Sequence, residues 1–179
     1  MSILQETGTT LPTGTWVLDP VHSKIEFAVK HNGISTFRGS FGDVTATLDE
    51  SGLTGTAKVE SITVDEPTLR GHLLSPEFFD AERFPELSFR SKAIRVDGRS
   101  VTIDGDITIK GVTQPLSLEG ELAGPVENPF GGTVLALEIE SVLDRRSFGI
   151  DWNMELPGGG SYVENAVALT GVLELKKEA

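Results

Sequence analysis

The sequence contains no cysteine, which excludes disulfide bonds, thiolate metal ligands and cysteine nucleophiles. It also lacks an apolar run long enough for a membrane-spanning helix, so we expect no stable membrane insertion. Basic residues are few, since 15 Lys and Arg stand against 27 Asp and Glu, a net charge of −12. Such a surface repels phosphate backbones, so we expect no nucleic-acid partner. The opening stretch MSILQETGTTLPTG has no basic segment followed by an apolar one, which predicts a cytoplasmic protein.

Several long segments alternate apolar and polar residues with the period of a β-strand. In VTIDGDITI, residues 101–109, the odd-numbered positions form an apolar row and the even-numbered positions a polar one. The 20 glycines and 9 prolines are typical of an all-β domain with many turns. We predict a single antiparallel β-barrel of about eight strands over residues 14–177, preceded by a polar arm at residues 1–13, because an open sheet with an apolar face would aggregate. Gly42-Asp43 is expected to form a bulge, since the inward row changes phase there.

One segment, residues 66–85, departs from the strand pattern. Leu69 and Leu73 are four residues apart, as on one face of a helix. Ser75-Pro76-Glu77 is typical of a second helical turn, with an N-cap, a first-turn proline and an early acidic residue. We predict a short helical insertion that closes one end of the barrel.

Three strands place a glycine within their apolar row, at Gly105, Gly120 and Gly171. A glycine in a strand can serve a bend or a bulge, which barrels need. It can also leave room for a ligand in the lumen. The two interpretations are compatible, and periodicity does not decide between them.

Five motifs in order resemble the YceI-like family, whose members are lipocalin-like barrels that bind polyisoprenoid lipids. They are DPVHS (19–23), VKHNGISTFRGSF (29–41), GHLLSPEFFDAERFPELSF (71–89), IKGVTQPLSL (109–118) and RRSFGIDWN (145–153). The resemblance runs from Trp16 to Leu175. It implies a lumen that holds an isoprenoid chain, and relatives are often homodimers and often periplasmic. Gly71 and Ser147 stand where the family commonly has acidic residues, so head-group contacts of those acids do not carry over.

The resemblance and the apolar rows together predict the ligand-binding residues. The bound ligand would be an isoprenoid-type lipid, a polyprenyl chain or a quinone, carried or stored without any cofactor. The expected contacts with a polar head group are Arg70, His72, Arg145, Arg146 and Asn153. The expected lumen residues are Phe27, Val29, Phe41, Val44, Phe89, Ile103, Ile107, Leu118, Leu135, Leu137, Ile139 and Leu169 with the glycines Gly105, Gly120 and Gly171, and Phe78, Phe79, Phe148 and Trp152 would close an end.

The three histidines raise the alternatives of a metal site and of catalysis. His22, His31 and His72 lie in separate elements without the spacing of paired metal ligands, so we expect no metal. No nucleophile-elbow or phosphate-loop motif is present, and no catalytic residue is predicted. The alternative function is a barrel enzyme that acts on an apolar or isoprenoid substrate, with His72 or His22 as the acid-base group.

Overall fold

The computed structural model describes residues 4–6 and 10–179, which are mostly strands. One α-helix, α1 (Pro67–Leu74), and short 3₁₀ turns at Pro20–His22, Val59–Ser61 and Arg145–Phe148 interrupt them in the described ranges. The strands are β1 (Leu4–Glu6), β2 (Trp16–Leu18), β3 (Lys24–His31), β4 (Ser35–Phe41), β5 (Val44–Asp49), β6 (Gly52–Lys58), β7 (Ile62–Thr63), β8 (Glu86–Asp97), β9 (Ser100–Ile109), β10 (Val112–Glu127), β11 (Thr133–Asp144) and β12 (Val163–Lys177).

The strands form a closed barrel. The ring runs β11–β10–β9–β8–β6–β5–β2–β12 and returns to β11 through a long antiparallel pairing of β12 with β11. β12 also pairs with β3, from which β4 and β7 continue the wall. Three barrel strands are each interrupted once, into β2 and β3, β4 and β5, and β6 and β7. With the uninterrupted strands β8 to β12, the barrel formed by the described residues has eight strands. The predicted antiparallel barrel with a short helical insertion is therefore confirmed.

Short breaks let the barrel strands change direction. Between β2 and β3, Asp19 accepts a hydrogen bond from the Val21 amide at 2.9 Å and caps the 3₁₀ turn that begins at Pro20. Between β4 and β5, at the expected bulge, the Gly42 amide donates to the carbonyl of Ser61 at 3.0 Å. The 3₁₀ turn Val59–Ser61 thus provides the partner for an amide that the bend removes from the ladder.

The barrel interior has two unlike halves. The packed half lies where β2, β5 and β6 form part of the wall, and its side chains leave almost no exposed surface; Trp16, Leu48, Ile103 and Leu137 are 1–2% exposed and Leu175 is fully buried. The other half lies beneath α1 and contains a second cluster rich in phenylalanine, with Phe27, Phe41, Phe78 and Phe148. Both halves consist of inward-facing side chains, which alternate with outward-facing ones along each strand.

The helical insertion is shorter than predicted. Glu66 caps α1 by accepting hydrogen bonds from the amides of Thr68 and Leu69, and Leu73 is buried against the second cluster. Ser75 ends α1, where its hydroxyl donates to the His72 carbonyl at 2.6 Å, and its own carbonyl accepts from the Phe78 amide at 3.0 Å without starting a regular helix. Residues 76–83 follow as hydrogen-bonded turns, so that part of the prediction is wrong.

The predicted N-terminal arm falls partly outside the described residues, which omit 1–3 and 7–9. Leu4–Glu6 form β1, which pairs in parallel with β8 from Ile94 to Val96. None of the helices in the described ranges has the length and apolar character needed to cross a membrane.

Candidate functional site

An apolar cavity occupies the half of the barrel beneath α1. Its volume is about 840 Å³, within the range of small-molecule sites. Phe37, Ile107 and Leu169 lie on its wall and are only partly buried, although their side chains pack with the interior clusters. Their remaining accessible surface faces the cavity, so this half of the barrel is hollow.

Most of the predicted lumen residues border this cavity. The structure brings together inward residues of several strands with aromatic residues from the insertion and from the segment after β11. These residues are Phe27, Val29, Phe41, Val44, Phe78, Phe79, Phe89, Ile107, Leu118, Ile139, Phe148, Trp152, Leu169 and Gly171.

Three predicted lumen residues lie in the packed half instead. Ile103, Leu135 and Leu137 are at most 2% exposed and do not border the cavity. A strand's period of two shows which side chains face inward but not how far along the barrel axis they lie. Their placement in the lumen was therefore wrong.

Gly105 and Gly120 also lie outside the cavity wall, and backbone packing explains them. A Cβ at Gly120 would overlap the carbonyl oxygen of Glu138 on β11 and lie 2.9 Å from the Cα of Ile139. A Cβ at Gly105 would meet the backbone of Arg90 and Ser91, where β8 shifts its register against β9. These glycines permit close approach of neighbouring strands, and the prediction that they hollow the lumen was wrong.

Gly171 differs from the other two glycines because it borders the cavity and meets only side chains. A Cβ at this position would lie 3.1 Å from Cδ1 of Ile25 and 3.2 Å from Cγ1 of Ile139. Both atoms belong to flexible side chains of the neighbouring strands β3 and β11. A side chain at 171 would therefore compete with these two isoleucines for space at the cavity wall.

Sequence reasoning missed part of the wall. Some omitted residues continue the inward rows already recognised and could have been found by extending those rows: Ile25, Phe37, Leu87, Ile109, Leu116, Leu143 and Val167. Others lie in irregular segments without a periodic signal: Ile150, Met154 and Tyr162.

Five ring side chains form an aromatic row along one side of the cavity. His31 contacts Tyr162, Tyr162 contacts Trp152, Trp152 contacts His72 and His72 contacts Phe78, with ring centroids 4.4, 6.1, 4.7 and 4.8 Å apart. All four contacts are edge-to-face, the arrangement that the quadrupoles of aromatic rings favour. The row connects His31 on β3 and His72 on α1 through Trp152 and Tyr162, which lie in the segment between β11 and β12. It therefore joins three parts of the chain that border the cavity.

The aromatic row includes polar groups without protein partners. Within residues 10–179, the Tyr162 hydroxyl and the Trp152 indole N–H form no hydrogen bond, and both side chains are half-buried at the cavity. His72 Nε2, in contrast, is 2.5 Å from a carboxylate oxygen of Glu77. The two unpaired groups are therefore available to a polar group of a ligand.

Of the predicted head-group residues, Arg145 is buried and anchors the protein rather than projecting into free space. Its guanidinium donates to the carbonyl oxygens of Ile150 and Trp152 at 2.9 Å and to those of Val163 and Glu164. Burial lowers the pKa of Arg145, and the negative charge of Asp151 opposes that effect. Arg145 borders the cavity, but its main contacts hold the segment 150–152 against the start of β12.

The remaining head-group candidates divide between the cavity and the surface. His72 borders the cavity, whereas Arg70, Arg146 and Asn153 do not. Arg70 donates to the carbonyls of Ile62 and Glu60, Arg146 forms a bidentate pair with Asp144, and Asn153 bonds the backbone of Val163. None of these three side chains lines the cavity, and each is engaged elsewhere, so their contact with a head group stays a prediction.

His22 lies on the surface with two carboxylates. Its Nδ1 is 2.8 Å from Asp19 and 3.2 Å from Glu174, and these three residues could offer ligand atoms to a metal ion. The hydrogen bond with Asp19, together with the negative charges of Asp19 and Glu174, raises the pKa of His22 above 6.5. The same hydrogen bond is the main cause of the lowered pKa of Asp19. None of these three residues borders the cavity.

The family model for a YceI-like domain matches residues 16–175. The chain belongs to the YceI-like family. Similar curated proteins include Protein YceI of Salmonella arizonae and of Salmonella paratyphi B, each 30% identical over 158 residues that span 84% of this chain and 82% of the relative. The family-model match runs from the first residue of β2 to residue 175 in β12.

Solved structures share the YceI-like barrel. BcnA of Burkholderia cenocepacia is 19% identical with a TM-score of 0.70, over 88% of this chain and 98% of that one. The Campylobacter jejuni YCEI protein is 24% identical with a TM-score of 0.70, over 84% and 90%. A polyisoprenoid binding domain from Saccharophagus degradans is 11% identical with a TM-score of 0.64, over 91% and 98%. At these identities the likeness shows a common fold.

Proposed function

We propose that this protein binds an isoprenoid-type lipid, a polyprenyl chain or a quinone, in the barrel cavity as a carrier or reservoir. The observation that carries the proposal is a cavity of about 840 Å³ walled by apolar strand residues and phenylalanines. An isoprenoid tail offers no hydrogen bonds and therefore suits such a wall. The polyisoprenoid binding described for the Saccharophagus degradans neighbour supports the same ligand class.

The cavity volume limits how much ligand it encloses. A cavity of about 150 Å³ holds a benzene ring. By that measure, about 840 Å³ holds roughly 30 non-hydrogen atoms. At about 0.3 kcal/mol per atom, a ligand of this size would bind with roughly 9 kcal/mol, which corresponds to a submicromolar Kd. Since a prenyl unit has five carbon atoms, a chain of about five or six units fills the cavity.

A neutral ring head suits the wall better than a diphosphate. The Lys and Arg side chains that border the cavity in the described residues are Lys30 and Arg145, and Arg145 is engaged by four carbonyls. The acidic residue Glu66 also borders it. We place the head beside the aromatic row, where the Tyr162 hydroxyl and the Trp152 N–H would donate hydrogen bonds to quinone-type oxygens.

The alternative, an enzyme that acts on an apolar substrate, has one favourable observation. His72 borders the cavity, and its Nε2 contacts Glu77, which is a pairing that general acid-base catalysis can use. His22, the other candidate, is on the surface at the β2–β3 junction. The alternative therefore depends on His72 alone.

Solvent extraction of the purified protein, followed by mass spectrometry, tests the proposal. We expect a co-purified lipid with repeated five-carbon units, and recovery of added prenyl alcohol or quinone with an unchanged mass. Leu169→Glu places a charge on the cavity wall and should abolish the bound lipid, whereas Val172→Glu, on the exposed face of the same strand, should retain it.

A clean extract together with no uptake of added lipid would contradict the proposal. A change in the mass of the added lipid that is lost in His72→Ala would favour the enzyme. The homodimer, the absence of a required metal and the cytoplasmic location are still predictions of the sequence.

A further inference from the structure

The boundary between the two halves of the barrel is a wall of defined residues. Six buried residues border the cavity and also belong to the packed cluster of the other half. We call this set the cavity floor: Ala46, Leu53, Leu116, Leu118, Ile139 and Leu173. Beyond the floor, the next inward residues on three of the same strands, Leu48, Leu137 and Leu175, are 0–2% exposed. No room is left for a chain past this level.

We propose that the cavity floor and Gly171 set the length of the isoprenoid chain that the protein holds. This inference rests on the proposed function. A chain that enters with its head beside the aromatic row can extend only until its end meets the floor. Each further carbon atom buried before that point tightens binding roughly 1.7-fold, and further units must remain outside.

Gly171 determines the width of the interior just above the floor. A Cβ placed there would lie 3.1 Å from Cδ1 of Ile25 and 3.2 Å from Cγ1 of Ile139, so a side chain at 171 must displace these two side chains or project into the cavity. A larger residue at 171 would therefore narrow the cavity just above the floor. The backbone of Gly171 does not have a positive φ, so a branched side chain is compatible with the strand.

The chain offers a matched pair for the opposite change. Leu118 and Leu122 lie in the same inner row of β10 and are 8% and 6% exposed, but only Leu118 borders the cavity. Leu118→Ala removes about three carbon atoms from the floor and should lengthen the cavity by about half a prenyl unit. Adding Leu173→Ala should lengthen it by about one unit. Leu122→Ala opens space that the cavity does not reach.

The test measures the Kd for farnesol, geranylgeraniol, hexaprenol and solanesol. Binding is detected by the change in fluorescence of Trp152, which borders the cavity, whereas Trp16 in the packed half contributes a constant background. For the wild type, we expect the affinity to rise up to hexaprenol and then to level off. Gly171→Val should weaken hexaprenol at least about tenfold while leaving farnesol within about twofold. Leu118→Ala and the double variant should move the plateau toward solanesol, and Leu122→Ala should leave the profile unchanged.

The outcomes separate this inference from the proposed function. If the wild type binds no prenyl alcohol and no quinone, the proposed function is wrong, and the inference about chain length is wrong with it. If the wild type binds but Gly171→Val keeps its chain-length profile, the floor does not set the length. Equal shifts in Leu118→Ala and Leu122→Ala would also overturn the inference. Should the leucine variants not fold, Gly171→Val decides the matter alone, since it removes no packed side chain.

Discussion

At the scale of single residues, the same residue type serves different purposes at different depths of the barrel. Gly120 lets the backbone of β11 approach β10, whereas Gly171 meets only side chains. Arg145 is a cation, yet its buried guanidinium holds backbone carbonyls in place. Residue chemistry alone does not assign these roles, because each depends on which neighbour the fold brings near.

The two glycines should respond in opposite ways to alanine. Gly120→Ala pushes a methyl group into a carbonyl of β11 and should lower the free energy of unfolding by about 1–3 kcal/mol. Gly171→Ala meets only side-chain atoms of two isoleucines, which need to shift by a few tenths of an ångström. The lower entropy of its unfolded chain offsets this cost and should keep its stability within about 1 kcal/mol of the wild type. Urea denaturation measures both, and equal losses would show that Gly171 is also constrained by the backbone.

His22 should make stability depend on pH in a defined window. Because the folded pKa of His22 is raised above 6.5, its contribution is fully present below pH 6.5 and disappears as pH rises through the folded value. Because the pKa of Asp19 is lowered from 3.8, the contribution of that carboxylate is present above pH 3.8 and is lost as pH falls through its lowered value.

The stability difference between wild type and His22→Asn should therefore be largest between pH 3.8 and 6.5 and shrink above it. An NMR titration of the His22 ring checks the raised pKa directly, with His31→Asn as the variant that should leave the His22 titration unchanged. A difference that grows with rising pH would contradict the assignment.

At the scale of elements, the outer faces of β10 and β11 bring acidic residues into direct opposition. The antiparallel register pairs Glu119 with Glu140 and Glu121 with Glu138. Arg99 lies 3.7 Å from Glu121 and offsets part of one pair. Like charges directly across a strand pair are destabilising, so this ladder gives up stability on the surface of an acidic protein.

Reversing one charge of this ladder should stabilise the barrel. Glu119→Lys turns a like-charge pair into an opposite-charge pair and should raise the free energy of unfolding by roughly 0.2–1 kcal/mol at low salt. Glu127→Lys, on the same strand but opposite Thr133, is the control for the change in net charge. The difference between the two variants should diminish in about 1 M salt, and a difference that persists there would point to packing rather than charge.

At the scale of the whole molecule, sequence patterns predicted the barrel better than they predicted its interior. Alternation identified the strands, and the motifs of the resemblance identified the family, because both depend on local sequence. Ile103 and Ile107 stand in one apolar row, yet one lies in the packed half and the other on the cavity wall. Their depth depends on strand register and on where the ring closes, which no single strand encodes. The role of Arg145 was missed for a similar reason, since its partners belong to an irregular segment.

The closure of the ring by β12 has a consequence for how the chain folds. β12 comes after every other strand, and it pairs with β3 and β2, which lie well over a hundred residues earlier. Contacts of such sequence separation slow folding, because the entropy of a long loop is lost before they form. During synthesis, the apolar rows of the earlier strands stay open along one seam until residues 163–177 leave the ribosome. A nascent chain stalled before Val163 would therefore expose unpaired edges at β3 and β11 and be a natural client for chaperones.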